Sequence, residues 1–239
     1  MKLTIIPTFL LASTLTYLTS TAQENSAPDN KGIETVSALY KIQDTLSRDN
    51  TSVTLRVLWM DSSLEIRKTT SLKYDLEYAR KFRKDPTYIP TKNDTITYNE
   101  LRRIGSQNCH SYALEKYFKY HNVSENTLFT DKTILTQNMY MEKILTTSFK
   151  KGLSIKTKPR KNLNYPFEIG TLLVFRNKWN TPIHTVFYDG EYHSKYGGWA
   201  PKAEKKLKTV FDRYWDTTTI EEYKLDTAKL ENYITRKQD

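Results

Sequence analysis

Cys109 is the only cysteine of the chain, and it stands in Gln107-Asn108-Cys109-His110-Ser111-Tyr112-Ala113-Leu114, where an amphipathic helix is expected to begin. A helix N-terminus offers unpaired N–H groups and a partial positive charge, and both favour thiolate over thiol. An ordinary thiol, with a pKa near 8.5, is only a few per cent ionised at neutral pH, so a nucleophilic cysteine needs a base beside it. The base in turn needs a polar group to hold its ring. Among the four histidines, His184 and His193 fit base and orienter, with Cys109 as nucleophile.

The second cluster of chemistry is a hairpin. Ile183 to Tyr188 and Glu191 to Tyr196 flank Asp189-Gly190, a strong short-range hairpin signal. A two-residue loop there places Tyr188 opposite Glu191, Phe187 opposite Tyr192, Val186 opposite His193 and His184 opposite Lys195. His184, Val186, His193 and Lys195 are then expected on one face. His110 follows the cysteine about 100° around the helix and reads as its neighbour rather than its base. His121 reads as a helix C-terminal residue complementing the dipole. Structural zinc wants four ligands at short paired spacings, and one cysteine makes that a poor fit. There is no Gly-rich phosphate loop, HExxH or Gly-x-Ser-x-Gly, so no cofactor and no metal is expected.

These residues need elements to position them. Asn108 or Ser106 can cap the helix whose apolar residues Ala113, Leu114, Tyr117 and Phe118 lie three and four apart. Ahead of it, Thr97-Tyr98-Asn99-Glu100 has the form of a capping box for a short helix over 101–104 that Gly105 ends. A helix is expected over 136–149, then a short strand around Leu153 and Ile155, and a central strand over Thr171 to Phe175. Helical spacing at Leu207, Val210, Phe211 and Tyr214, a strand over 220–225 and a last helix with Leu230, Tyr233 and Ile234 complete this part. Nearer the N-terminus, Ile33, Val36, Leu39, Tyr40, Ile42 and Leu46 recur at helical spacing, Val53 to Trp59 alternates as a strand, and 71–84 reads as a helix. The Pro-containing stretch 85–94 is the best boundary.

Residues 1–22 have a signal-peptide pattern: Lys2, an apolar run over 3–18, and small residues at Ser20-Thr21-Ala22. The run is broken by Pro7 and several hydroxyls, which argues against a membrane anchor. Removal takes Lys2 and no acidic residue, so the formal charge falls from +10 to +9. A basic exported chain suits anionic envelope polymers; nucleic acid would feel the same field, but no specific nucleic-acid motif is present. The expected organisation is a signal peptide at 1–22, a polar tether at 23–32, an N-terminal helical and strand extension at 33–95 and a catalytic domain at 96–239. No transmembrane segment is expected after signal removal.

Gln107-Asn108-Cys109-His110-Ser111-Tyr112-Ala113, then Gly170-Thr171-Leu172-Leu173-Val174-Phe175, then His184-Thr185-Val186-Phe187-Tyr188 and Tyr192-His193-Ser194 resemble, in that order, the NlpC/P60 and CHAP group of papain-like cysteine peptidases. The resemblance covers residues 104–200. Asn108-Cys109-His110 replaces the common Asp-Cys-Ser and Thr171 the common Asp, which marks a divergent member. The resemblance implies an α+β, papain-like fold in which the cysteine-bearing helix packs on a small antiparallel sheet. It implies hydrolysis of an amide bond in cell-wall peptide or peptidoglycan, in the periplasm or outside a bacterial cell. Cys109 would be nucleophile and His184 base; His193 or the Ser194-Lys195 segment would supply the third member. Gln107, His110, Ser194 and Lys195 are further candidates for oxyanion or substrate contacts. The same scaffold could also serve a non-catalytic envelope protein that binds an anionic polymer, or a thiol acyltransferase or deamidase.

Overall fold

The structure, a computed structural model, describes residues 39–49, 52–69, 84–89, 91–92, 107–123, 127–157, 165–197 and 200–238. The expected leader and tether, the capping box at Thr97, the helix over 101–104 and all but the last residue of the helix over 71–84 lie outside the described residues. The chain is α+β, with two antiparallel sheets and a few helices among the described residues.

The smaller sheet runs in the order β1-β2-β3-β4, with β1 at Tyr40–Arg48, β2 at Ser52–Trp59, β3 at Ser62–Thr69 and β4 at Ile134–Leu135. β1 corrects the helix expected over this segment. Two register irregularities against β2, between Ile42 and Asp44 and between Thr45 and Ser47, break strict alternation. Leu39, Ile42 and Leu46, three and four apart, imitated a helical stripe, but Ile42 is exposed and only Tyr40 and Leu46 of the strand are partly buried. The strand forms because β2 supplies a long pairing partner, which outweighs local pattern.

The larger sheet runs β5-β10-β6-β7-β8-β9: β5 Phe149–Lys156, β6 Thr171–Arg176, β7 Pro182–Tyr188, β8 Tyr192–Ser194, β9 Lys202–Glu204 and β10 Thr219–Leu225. Its helices are α1 (Cys109–Tyr120), α2 (Asn138–Ser148), α3 (Leu207–Phe211) and α4 (Thr227–Gln238). All six residues of β6 are buried, because the sheet is covered on both faces. On one face Leu172, Val174 and Phe187 pack with Ala113, Leu114 and Tyr117 of α1. On the other, Leu173, Phe175 and Val186 pack with Leu207, Val210 and Phe211 of α3.

The smaller sheet shares the first of these cores. Trp59 is fully buried, lies 5.8 Å from Phe118 and 5.4 Å from Phe129 between ring centroids, and donates its indole N–H to Ser148 Oγ at 2.5 Å. A polar anchor joins the larger sheet to α2. The Arg176 guanidinium, 2 % exposed, pairs with Glu221 of β10 and with Glu142 of α2 at 2.6 Å, and it donates to Tyr223 Oη at 2.8 Å. A buried cation is tolerated there because two carboxylates and a hydroxyl answer its donors.

Among the described residues, no helix is long and apolar enough to cross a membrane.

Candidate active site

The start of α1 is built by Asn108. Its backbone is extended, at φ −92° and ψ −179°, and its side-chain oxygen accepts the Ser111 N–H at 3.1 Å, which caps the helix. The same side chain donates to the Thr136 carbonyl at 2.5 Å, and Ser111 Oγ lies 2.9 Å from Thr136 Oγ1. The helix end is thus latched to the segment leading into α2, with Cys109 at its first helical position.

Cys109 is half-buried. Burial pushes its thiol up to about 11, against the pull of the backbone N–H groups of Thr185, His110 and Cys109 itself and of the Lys195 charge. The resting sulfur is therefore a thiol surrounded by groups that favour its anion.

The hairpin corrects the expected register. Tyr188 pairs with Tyr192 and Phe187 with His193, so the loop is Asp189-Gly190-Glu191, three residues rather than two. Gly190, at φ +110°, supplies the left-handed turn, and the Asp189 carboxylate accepts the Glu191 N–H at 3.2 Å. One extra residue exchanges the faces of everything after it. His193 consequently does not share a face with His184. Its Nε2 sits 2.9 Å from both Asp189 carboxylate oxygens, and its ring stacks on Phe187 at 5.9 Å.

Ser194 takes the place expected of His193. His184 has no exposed surface, and its Nε2 lies 2.8 Å from Ser194 Oγ. Its Nδ1 is buried with no hydrogen-bond partner among the described residues. An orphaned lone pair is less costly than an orphaned N–H, so the favoured tautomer donates from Nε2 to Ser194 and leaves Nδ1 as a free base. The ring is held by Tyr214, stacked at 3.8 Å and 16°, by Tyr196, stacked at 5.9 Å, and by the edge of Phe175. Burial, and secondarily the His110 charge, hold His184 well below the ordinary histidine range. No hydrogen bond joins it to Cys109 among the described residues. What links the two is Thr185, the next residue along β7, whose N–H acts on the sulfur.

The other expected residues have clear positions. His110 is 1 % exposed, with Nδ1 2.7 Å from Thr185 Oγ1 and Nε2 3.0 Å from Asn138 Oδ1. With an amide oxygen as acceptor, Nε2 carries the proton and Nδ1 accepts from the threonine hydroxyl. Burial pushes His110 down to about 4. Gln107 donates to Glu115 at 2.9 Å. Lys195 is fully buried and donates to the Gly197 carbonyl.

Tyr214 and Thr185 are the site residues that pattern reading missed. Tyr214 registers in the sequence only as an apolar position following α3, 30 residues from the histidine it covers. Thr185 carried no signal beyond its place beside His184.

A groove of about 780 Å³ opens beside this cluster, lined by Asn108, Gln137, Asn138, Asn180, Thr181 and Pro182 among others. It reaches the residue before Cys109 at one side and the start of the His184 strand at the other. Its one carboxylate, Glu142, is occupied by Arg176. Among the described residues, no group of three or more His, Cys, Asp or Glu side chains is placed to hold a metal ion.

No family model matches the chain, and no curated protein or solved structure matches it.

Proposed function

We propose that this chain is an exported bacterial cysteine hydrolase, a divergent relative of the NlpC/P60 papain-like group, that cleaves an amide bond of cell-wall peptide. The observation that carries the reading is the His184 imidazole: fully buried, bonded through Nε2 to Ser194, with a free Nδ1, and one residue from the amide that acts on the Cys109 sulfur. Nucleophile, base and orienter are then Cys109, His184 and Ser194.

In this reading the thiol proton passes to His184 Nδ1 as sulfur attacks the substrate carbonyl. Ser194 and the stacked Tyr214 hold the ring while it is charged. The imidazolium then gives its proton to the leaving amine, and water repeats the sequence on the thioester. Because burial raises the thiol and lowers the imidazole, the resting pair is neutral, and charge separates only during reaction. In this reading the N–H groups at the start of α1 stabilise the oxyanion. The amide-lined groove offers the approach for an uncharged peptide segment, and the formal charge of +9 expected after loss of the leader favours an anionic envelope around it.

The expected outcome is that purified walls incubated with the protein release soluble muropeptides, and that Cys109→Ala abolishes the release with an unchanged thermal melt. Full release by Cys109→Ala overturns the proposal. Burial of the thiol also favours a second reading, a non-catalytic polymer-binding protein. In that case iodoacetamide labels Cys109 no faster than a free thiol, and wall binding weakens steeply with salt.

A further inference from the structure

Asn138, the first residue of α2, is exposed on the groove, yet its side-chain oxygen is tied to a residue with almost no exposed surface. His110 Nε2 lies 3.0 Å from Asn138 Oδ1, and the other ring nitrogen lies 2.7 Å from Oγ1 of Thr185, itself fully buried. Most side-chain hydrogen bonds of exposed residues go to backbone or water, and ordering such a side chain has an entropic cost. Here the imidazole N–H occupies the oxygen, and a planar amide fixed at its oxygen has its NH2 group fixed as well. Among the described residues, no group accepts a hydrogen bond from Nδ2.

The other asparagines of the groove are committed to the fold. Asn108 gives its side chain to Ser111 and Thr136, and Asn180 sits in the turn between β6 and β7, at φ +61°, with its carbonyl accepting from Arg176. The chemistry of the walls says what Asn138 could donate to. Leu135, Met139 and Pro182 supply apolar surface, the one carboxylate is held by Arg176, and none of the described lining residues is cationic. A neutral acceptor fits there, whereas a carboxylate or phosphate would find no counter-charge.

We infer that Asn138 is a substrate-binding residue that donates from Nδ2 to an amide carbonyl of the ligand in the groove, with His110 as the positioning residue that sets its amide. The carbonyl belongs to a peptide bond or to the acetamido group of a sugar. Thr185 completes the chain: its hydroxyl fixes which His110 nitrogen carries the proton, and its own N–H acts on the Cys109 sulfur. Ligand register and nucleophile are thereby referred to one strand residue.

This role takes its ligand, wall peptide, from the proposed function, but the test needs no turnover. Soluble muropeptides, intact and stripped of their sugars, are titrated into Cys109→Ala alone and combined with Asn138→Asp or Asn138→Leu, and Kd is read by calorimetry. Asp keeps an oxygen for the His110 N–H and suits a helix start, but it has no N–H to give; Leu adds no charge. Both are expected to raise Kd about fivefold or more. The loss appears with both probes for a peptide carbonyl, and with the sugar-bearing probe alone for an acetamido carbonyl. Parental affinity in folded Asn138→Asp or Asn138→Leu overturns the inference, as does failure of both probes to bind Cys109→Ala at millimolar concentration. If neither Asn138 variant folds, the Asn138 side-chain amide resonance is followed by NMR as Cys109→Ala is titrated, and a resonance that does not shift is equally fatal. His110→Gln, which can still donate to the Asn138 oxygen, is expected to bind about threefold more tightly than His110→Phe; equal affinities remove His110 from the role. Binding that depends on Asn138 without muropeptide release by the wild type removes the hydrolase reading and leaves the donor standing. Release with binding indifferent to Asn138 does the reverse.

Discussion

On the α1 face of the larger sheet, polar groups are answered. His110 has a partner at each ring nitrogen, and His193 faces the Asp189 carboxylate. Across the same strands, on the α3 face, His184 Nδ1 and the Tyr196 hydroxyl are both buried without a hydrogen-bond partner among the described residues. Each such atom costs about 1–3 kcal/mol, and unsatisfied groups concentrate at functional sites rather than in supporting structure. The contrast separates the face that carries the cysteine-bearing helix, whose polar groups are answered, from a face with two unanswered ones, and under the proposed function the base is drawn from the second.

Exchange of the two hairpin histidines breaks or sharpens this comparison most. His184→Ala is expected to lower muropeptide release by about 10³-fold or more in protein that is still folded at the assay temperature, while His193→Ala changes release less than about threefold. Equal losses in the two variants would erase the distinction between the faces. The next effect is acid lability on the answered face. His110 is held neutral down to about 4, so the unfolded chain binds a proton that the folded chain refuses as pH falls from 6.5. Stability present above 6.5 is lost across that window by on the order of 3 kcal/mol, and His110→Gln flattens the dependence in urea titrations at pH 7 and pH 4. Ser194→Ala strips His184 of its remaining hydrogen bond; it should cost about 1–3 kcal/mol in chemical denaturation and at least tenfold in turnover. Smallest is the stacking on His184. Tyr214→Leu should lose about 1 kcal/mol and lower kcat with KM little changed, and Tyr214→Phe should restore both.

Local signals were readable where a short stretch carries its own physical cause. Asn108 as a cap, the apolar stripe of α1, the buried run of β6 and the existence of a hairpin at Asp189-Gly190 all depend on neighbours in sequence, and each is found in the fold. What depends on distant pairing was not readable. β1 owes its conformation to β2, and its irregular register concealed the strand period. The count of residues in the hairpin loop turned on whether the Asp189 side chain would reach the Glu191 N–H and His193, which composition does not announce. Cys109 and His184 could be nominated from residue type and order, but Ser194 replaced His193 as the partner of the base, and Tyr214 arrives from another segment altogether.

The three-residue loop also acts as an index. Loop tips ordinarily absorb insertions and deletions without consequence at a distance. Here the tip sets which side chain of β8 meets the imidazole, so removal of Gly190 would step His193 toward the position held by Ser194 and turn Ser194 outward. A single-codon deletion at an exposed turn could thereby rewrite the hydrogen-bond partner of a buried base, giving a lineage a route between hydroxyl and imidazole at that position without any substitution at the site itself.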